Sequence, residues 1–281
     1  MRFAATVLLW LIATLALALA IPAAWTQLHV VDADGYAAMA QRAATDPALQ
    51  SAMAAELTSR ATTLAAERGG GRYPLDNSEV REAAGAFTAG PAFPPLFARA
   101  NRAAHGWLFS DPAVAENGNQ WAVDVAPMLK DPSIQPLLSD HNVTIPAKLT
   151  VPLTVSVPQS MRQGRLSPLA TWGPWVSVGV AALCGVCALL TLAAARGRGK
   201  ALSSLGVSAL LVGAAGWAGI EVAARYLNGA LNHTTGNVRV IAEVMAGHAE
   251  AGLRQWLNVT LLAGAALVAL GVIVAMVGSF T

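Results

Sequence analysis

WVSVGVAALCGVCALLTLAAARGRGKALSSLGVSALLVGAAGWAGIEV, residues 175–222, contains two long apolar runs separated by a short basic loop. The two runs are Trp175–Ala195 and Leu202–Val222, and similar runs occur at Phe3–Ile21 and Leu257–Val277. As an α-helix that rises about 1.5 Å per residue, each run is long enough to cross a hydrocarbon core of about 30 Å. The sequence therefore predicts a membrane protein with four spanning helices.

The composition indicates that lipid solvates much of the chain. Its 281 residues are 55% hydrophobic and 12% charged, whereas a soluble domain typically carries about 25% charged residues. The formal net charge of +2 is small, and no run of Lys or Arg is long enough to follow a phosphate backbone. We therefore expect the lipid bilayer to be a partner of this protein, and we expect no binding of nucleic acid.

The basic residues predict the orientation of the spans. The loop Arg196–Lys200 contains three basic residues and no acidic one, and Arg2 precedes the first span. Because short loops rich in Lys and Arg stay in the cytoplasm, both termini are predicted to be cytoplasmic and the long insert extracytoplasmic. Tryptophan favours the headgroup region, and four tryptophans fall at the predicted outer ends of spans: Trp25, Trp172, Trp175 and Trp256.

This pattern divides the chain into consecutive segments. They are a signal anchor and first span (1–23), an extracytoplasmic domain (24–169), the second span (170–196), a basic cytoplasmic loop (197–201), the third span (202–223), an extracytoplasmic amphipathic helical segment (224–255), and the fourth span with a short cytoplasmic tail (256–281). The first span also fits a cleavable signal peptide, because small residues surround Leu19 after the apolar stretch. The length of that stretch favours an uncleaved anchor.

The insert mixes helical and strand-like patterns. Residues 46–64 combine a helix start with apolar residues at helical spacing. Residues 121–126 alternate between apolar and other side chains, and residues 143–157 alternate over a longer stretch. We therefore predict a mainly α membrane protein, with four transmembrane helices and a small α+β extracytoplasmic domain inserted between the first two spans.

The alternation at 143–157 also predicts the edge of a sheet. Its polar face carries Pro146, Pro152 and Pro158, and proline cannot donate a hydrogen bond to a β-ladder. The segment is therefore expected to be an edge strand or partly polyproline II, with its apolar face covered by the domain or by a partner protein. The candidate partner edge consists of Leu149, Val151, Leu153 and Val155.

Cys184-Gly185-Val186-Cys187 is the one motif with potential redox chemistry. A C-x-x-C pair can act as a redox dithiol, as in membrane thiol oxidoreductases. Cys184, however, lies about 13 Å along the helix from Trp175, near the middle of the bilayer, where little reactive thiolate forms. The alternative is that both cysteines are small apolar packing residues, which is how buried cysteine usually behaves.

The remaining polar residues predict ion pairs rather than a reaction centre. Glu221 and Arg225 stand four residues apart at the end of the third span, a spacing that favours an ion pair. Arg239 with Glu243 and Glu250 with Arg254 have the same spacing. The five histidines are scattered without the spacing of metal ligands. We therefore predict no catalytic residue, no metal site and no cofactor.

Small residues recur along the third and fourth spans. Small-xxx-small spacing allows helices to approach closely in lipid, although it does not identify which helices meet. The residues are Gly206, Ala209, Gly213 and Gly216 in the third span and Gly264, Gly271 and Ala275 in the fourth.

FARANRAAH, residues 97–105, is followed by Asn117-Gly118-Asn119 and by Val123-Asp124-Val125. This order resembles a group of actinobacterial membrane proteins, in which an aromatic residue precedes an Asn-Arg-x-x-His helix and a Gly-Asn turn leads into an Asp-containing strand. The group shares the arrangement of one span, an insert and three spans. The resemblance implies the bacterial inner membrane and, by analogy, an accessory subunit of a lipid importer of the mammalian-cell-entry type. It implies no catalytic residue.

Three functions are compatible with these patterns. The leading hypothesis is a non-catalytic accessory or scaffold subunit of a cell-envelope complex, whose partners are other integral membrane or periplasmic proteins. The second is an extracytoplasmic sensor or carrier that binds a lipid or a peptide. The third is a membrane thiol oxidoreductase that uses Cys184 and Cys187.

Overall fold

The computed structural model describes residues 2–69, 77–109, 122–124, 150–152, 166–195, 197–231 and 236–277, together with Pro132, Gln135 and Gly164. The chain divides into two compact units. The membrane unit comprises Met1–Val31, Leu169–Asn228 and Glu250–Thr281. The insert unit comprises Asp32–Pro168 and Gly229–Ala249.

Nearly all of the described residues are helical. In chain order the elements are α1 (Arg2–Thr26), a π-helical turn (Gln27–Val31), α2 (Ala33–Ala43), α3 (Pro47–Gly69), α4 (Asn77–Ala89), α5 (Phe93–Phe109), β1 (Ala122–Asp124), β2 (Thr150–Pro152), α6 (Ser167–Ala194), α7 (Arg198–Leu231) and α8 (Asn237–Val277).

Four of these helices are long and apolar enough to cross a membrane. They are α1 with its π-helical turn, α6, α7 and α8. Few of the side chains in their apolar stretches are buried within the protein, from 11% in α1 and α8 to 28% in α7, as expected for helices that lipid surrounds. The prediction of a multi-pass membrane protein with four spans is therefore confirmed.

Glycines bring α7 and α8 into backbone contact. A Cβ atom on Gly206 would lie 2.7 Å from the carbonyl oxygen of Gly264, and one on Gly264 would lie 2.9 Å from the carbonyl oxygen of Gly206. Gly199 and Gly271 form an equivalent pair, in which a Cβ on either residue would lie 2.6–2.7 Å from the carbonyl oxygen of the other. The small residues predicted to permit close packing therefore join the third span to the fourth.

Polar side chains join α1 to α7 within the membrane unit. The indole Nε1 of Trp10 donates to the carbonyl oxygen of Ser204 over 3.0 Å. The hydroxyls of Thr14 and Ser208 share a hydrogen bond of 2.8 Å, and Ser208 is only 2% exposed. Such bonds are found between spanning helices because lipid offers no competing partner.

The insert unit has its own helical core. Three phenylalanines of α4 and α5 pack edge to face or tilted against each other, with ring centroids 5.6–5.8 Å apart: Phe87, Phe93 and Phe97. Burying each of these rings contributes up to about 3 kcal/mol. Leu49 from α3 is fully buried in the same cluster, and α8 adds Ile241, Val244 and Met245. The start of α8 therefore packs on the other helices of the insert unit.

The prediction of an α+β domain is wrong. The described core of the insert is built from helices, and the mainly α membrane class is the part of the prediction that fits. Strand pairing among the described residues is limited to β1 against β2, three residues each, with Val123 opposite Val151. A ladder of that length cannot form one layer of a domain. Of the alternating stretch 143–157, only residues 150–152 are described, and they form β2; the rest of that predicted strand lies outside the described residues.

Candidate functional site

The Asn-Arg-x-x-His motif lies on α5 and faces α2. The Nδ2 atom of Asn101 donates to the carbonyl oxygen of Phe97 over 2.9 Å. Its Oδ1 atom accepts from the Tyr36 hydroxyl over 3.5 Å. Arg102 forms an ion pair with Asp34, and both side chains are more than half exposed, so this pair adds little stability. The motif therefore attaches α5 to α2.

His105 completes this contact with its ring. It is 5% exposed, it stacks on Phe109 with ring centroids 4.1 Å apart, and its ring lies 5.3 Å from that of Tyr36. Burial raises the pKa of Tyr36 above its usual value, because desolvation disfavours the phenolate. Tyr36 is thus a neutral hydrogen-bond donor at pH 7. The rings of Tyr36, His105 and Phe109 pack the contact between α2 and α5.

A second cluster surrounds the π-helical turn at the predicted outer end of the first span. The ring of His29 stacks on Trp25, with centroids 5.2 Å apart and planes 10° apart. The edge of Trp256 from α8 approaches the same histidine at 6.1 Å. The Nδ1 atom of His29 lies 3.0 Å from the carbonyl oxygen of Trp25. Sequence reasoning missed this cluster, although the four-residue spacing of Trp25 and His29 indicated that they share a helix face.

Arg254 is the centre of a polar network between α7 and α8. Its Nη2 atom lies 3.0 Å from a Glu221 oxygen and 3.8 Å from a Glu250 oxygen. Its guanidinium carbon lies 4.9 Å from the centre of the Trp217 ring, within the range of a cation–π interaction. The Nε1 atom of Trp217 donates to Asn258 over 3.2 Å. Glu221, Glu250 and Trp217 thus contact the Arg254 guanidinium, and Asn258 bonds to Trp217.

This network corrects one predicted ion pair and confirms two others. The pair Glu221–Arg225 is not among the ion pairs of the described residues; Glu221 bonds to Arg254 of the neighbouring helix instead. Arg254 can stack on Trp217 and reach both carboxylates at once, which gives it more contacts than an i, i+4 pair provides. The predicted pairs Arg239–Glu243, at 2.7 Å, and Glu250–Arg254 are present.

Both cysteines are free thiols within α6. The Sγ atom of Cys184 lies 3.7 Å from the carbonyl oxygen of Ala13 on α1. Cys187 is 5% exposed, and its carbonyl oxygen accepts from the Thr191 hydroxyl over 2.7 Å. The C-x-x-C motif therefore contributes contacts within the membrane unit, and its packing and redox interpretations both stay predictions.

The predicted partner edge falls largely outside the described residues. Val151 lies in β2, whereas Leu149, Leu153 and Val155 belong to parts of the chain that the structure does not describe. Within the described ranges, no group of three or more His, Cys, Asp or Glu side chains could hold a metal ion. The candidate edge therefore stays a prediction.

No protein-family model, curated protein or solved structure matches this chain. The resemblance carried by residues 97–105 thus stays an expectation. Asn101, Arg102 and His105 of this motif contact α2 and so join it to α5.

Proposed function

We propose that this protein is a non-catalytic accessory or scaffold subunit of a bacterial cell-envelope membrane complex, with lipid transport as the task of that complex. Its membrane helices dock laterally beside other integral membrane proteins, and its extracytoplasmic part contacts a periplasmic partner. The orientation in this proposal is the predicted one, with both termini in the cytoplasm.

One observation carries the proposal. The polar and thiol side chains that could take part in a reaction instead contact neighbouring helices. Asn101 bonds to Tyr36, Arg254 bonds to Glu221, and the Cys184 thiol contacts the backbone of α1. Polar groups used in this way specify a defined helix arrangement, which is what a scaffold subunit requires.

The experiment is a pull-down of the tagged full-length protein from its native membranes in mild detergent, followed by mass spectrometry and electron microscopy. Stoichiometric recovery of transporter or envelope-synthesis subunits is the expected result. Recovery of the protein alone, or with a tightly bound lipid or peptide, would contradict the proposal and favour the sensor or carrier.

A pair of variants tests the predicted contact with the periplasmic partner. Val151→Glu is expected to release that partner while the protein stays in the membrane. Val240→Glu is the matched control, because Val240 is exposed on α8 and lies outside the candidate edge. Equal partner recovery with both variants would contradict the edge at 149–155.

A further inference from the structure

The acidic and basic residues of the chain are distributed unequally. All 16 acidic residues lie between Asp32 and Asp140 or between Glu221 and Glu250. The end of the membrane unit where α6 leads into α7 therefore has no acidic side chain in the sequence around it. It does have basic ones, including Arg198 and Lys200. This end of the protein is positively charged and has no compensating acid.

Arg198 and Lys200 are both exposed side chains in the first turn of α7. Basic residues there are opposed by the positive end of the helix macrodipole, and that turn contains no acidic residue to offset them. Neither base takes part in an ion pair of the described residues. Among the described residues, the charges of Arg198 and Lys200 are therefore not offset by an acid.

Gly199 holds the backbone between these two bases against α8. A Cβ on Gly199 would lie 2.5 Å from the backbone nitrogen of Ala275 and 2.6 Å from the carbonyl oxygen of Gly271. The backbone that carries Arg198 and Lys200 is thus packed closely on α8. The positive surface is therefore held by a packed pair of helices.

We infer that Arg198 and Lys200 form a binding surface for the phosphate groups of anionic phospholipids. The apolar run that begins at Leu202 starts two residues after Lys200, which sets both bases at the depth of the headgroups. Arginine and lysine at that depth attract anionic headgroups. Phospholipids always surround the ends of a membrane-spanning helix, whereas an acidic protein segment needs a separate partner. An anionic phospholipid is therefore the favoured ligand of Arg198 and Lys200.

The test uses purified full-length protein in a neutral detergent, titrated with phosphatidylglycerol or with phosphatidylcholine. Each basic residue near an anionic surface strengthens binding about fivefold, which corresponds to about 1 kcal/mol. The double variant Arg198→Gln/Lys200→Gln is therefore expected to bind phosphatidylglycerol about 30-fold more weakly, with binding of phosphatidylcholine unchanged. High salt should reduce the difference, because it screens exposed charges.

Two further variants make the result specific. Arg99→Gln removes an exposed base on α5, outside the four spans, and should leave the affinity for phosphatidylglycerol unchanged. Arg198→Lys/Lys200→Arg keeps both charges and should retain the wild-type affinity. Equal affinity of the wild type and the double Gln variant would overturn the inference.

Two competitors separate the possible sources of the anion. Millimolar inorganic phosphate should displace little phosphatidylglycerol, because a lipid is also held by its acyl chains. Complete displacement by phosphate would show a site for the free anion and would overturn the assignment to lipid. Tight binding of an acidic peptide to Arg198 and Lys200, with no preference for phosphatidylglycerol, would also overturn it and would indicate a protein partner.

Discussion

Replacing Gly206 with alanine tests whether backbone contact stabilises the membrane unit. The new Cβ would lie 2.7 Å from the carbonyl oxygen of Gly264 and 2.7 Å from the backbone nitrogen of Val268, about 0.7 Å short of ordinary contact near 3.4 Å. Both opposing atoms belong to the backbone of α8, so no side-chain rotation can relieve the overlap. The two helices must therefore move apart.

The expected cost follows from that movement. Overpacking a well-packed contact by one methyl group costs about 1–3 kcal/mol, and here the displacement is spread along the whole α7–α8 contact. We expect Gly206→Ala to lower the free energy of unfolding by about 2 kcal/mol. The matched control is Gly179→Ala on α6, because a Cβ at Gly179 has no atom within 4 Å. It should be neutral or slightly stabilising, since alanine favours helix more than glycine.

The assay is reversible unfolding of the purified protein in mixed micelles, with increasing mole fraction of a denaturing detergent. A double variant, Gly206→Ala/Gly264→Ala, should cost less than the sum of the two single variants, because the first substitution already separates the helices at that point. Equal unfolding curves for Gly206→Ala and Gly179→Ala would refute the argument that this contact controls stability.

Other changes have smaller or null expected effects. Thr14→Val combined with Ser208→Ala removes the hydroxyl pair between α1 and α7 without adding volume and should cost about 0.6–1.7 kcal/mol in the same unfolding assay; no loss would mean that this hydrogen bond does not stabilise the protein. Replacing Cys184 and Cys187 together with Ala should leave complex formation intact in the pull-down, and loss of envelope function in cells would support the thiol enzyme instead. Because burial raises the folded-state pKa of Tyr36 above its ordinary 10.0, stability should be unaffected below about pH 10 and fall as pH rises above it, when the unfolded chain ionises first. Tyr36→Phe should show a smaller fall in a pH series of thermal unfolding, and an unchanged slope would contradict the role of burial.

The spans were predictable because their signal is local. A run of apolar residues long enough to cross a bilayer needs no knowledge of the rest of the fold. The start of α3 was equally local: Asp46 accepts from the backbone nitrogen of Ala48 over 2.8 Å, as its place before Pro47 predicts. Such features depend on neighbours within a few residues.

Pairings between distant residues were not predictable in this way. The partner of Glu221 is 33 residues away on another helix, whereas sequence proximity favoured Arg225. The edge-to-face contact of His29 with Trp256 likewise requires the end of the first span and α8 to meet. The error in the fold class has a related cause, because a strand pattern specifies which side chains alternate but not whether a sheet exists to receive them.

The glycine contacts also restrict how the lengths of these helices can change. Gly199, Gly206 and Gly213 are spaced by seven residues, as are the residues whose carbonyl oxygens they face, Gly271, Gly264 and Leu257; Gly213 also contacts the Leu261 side chain more closely. Inserting one residue between two of these glycines would rotate every later position by about 100° around the helix axis and turn the next glycine away from its partner. Inserting seven residues is nearly two full turns and keeps the next glycine on the same face, but it moves that glycine about 10.5 Å along the axis, so the match returns only if α8 gains a heptad at the facing position. Natural variants should therefore change α7 and α8 together by whole heptads, or place their insertions outside the stretch between Gly199 and Gly213.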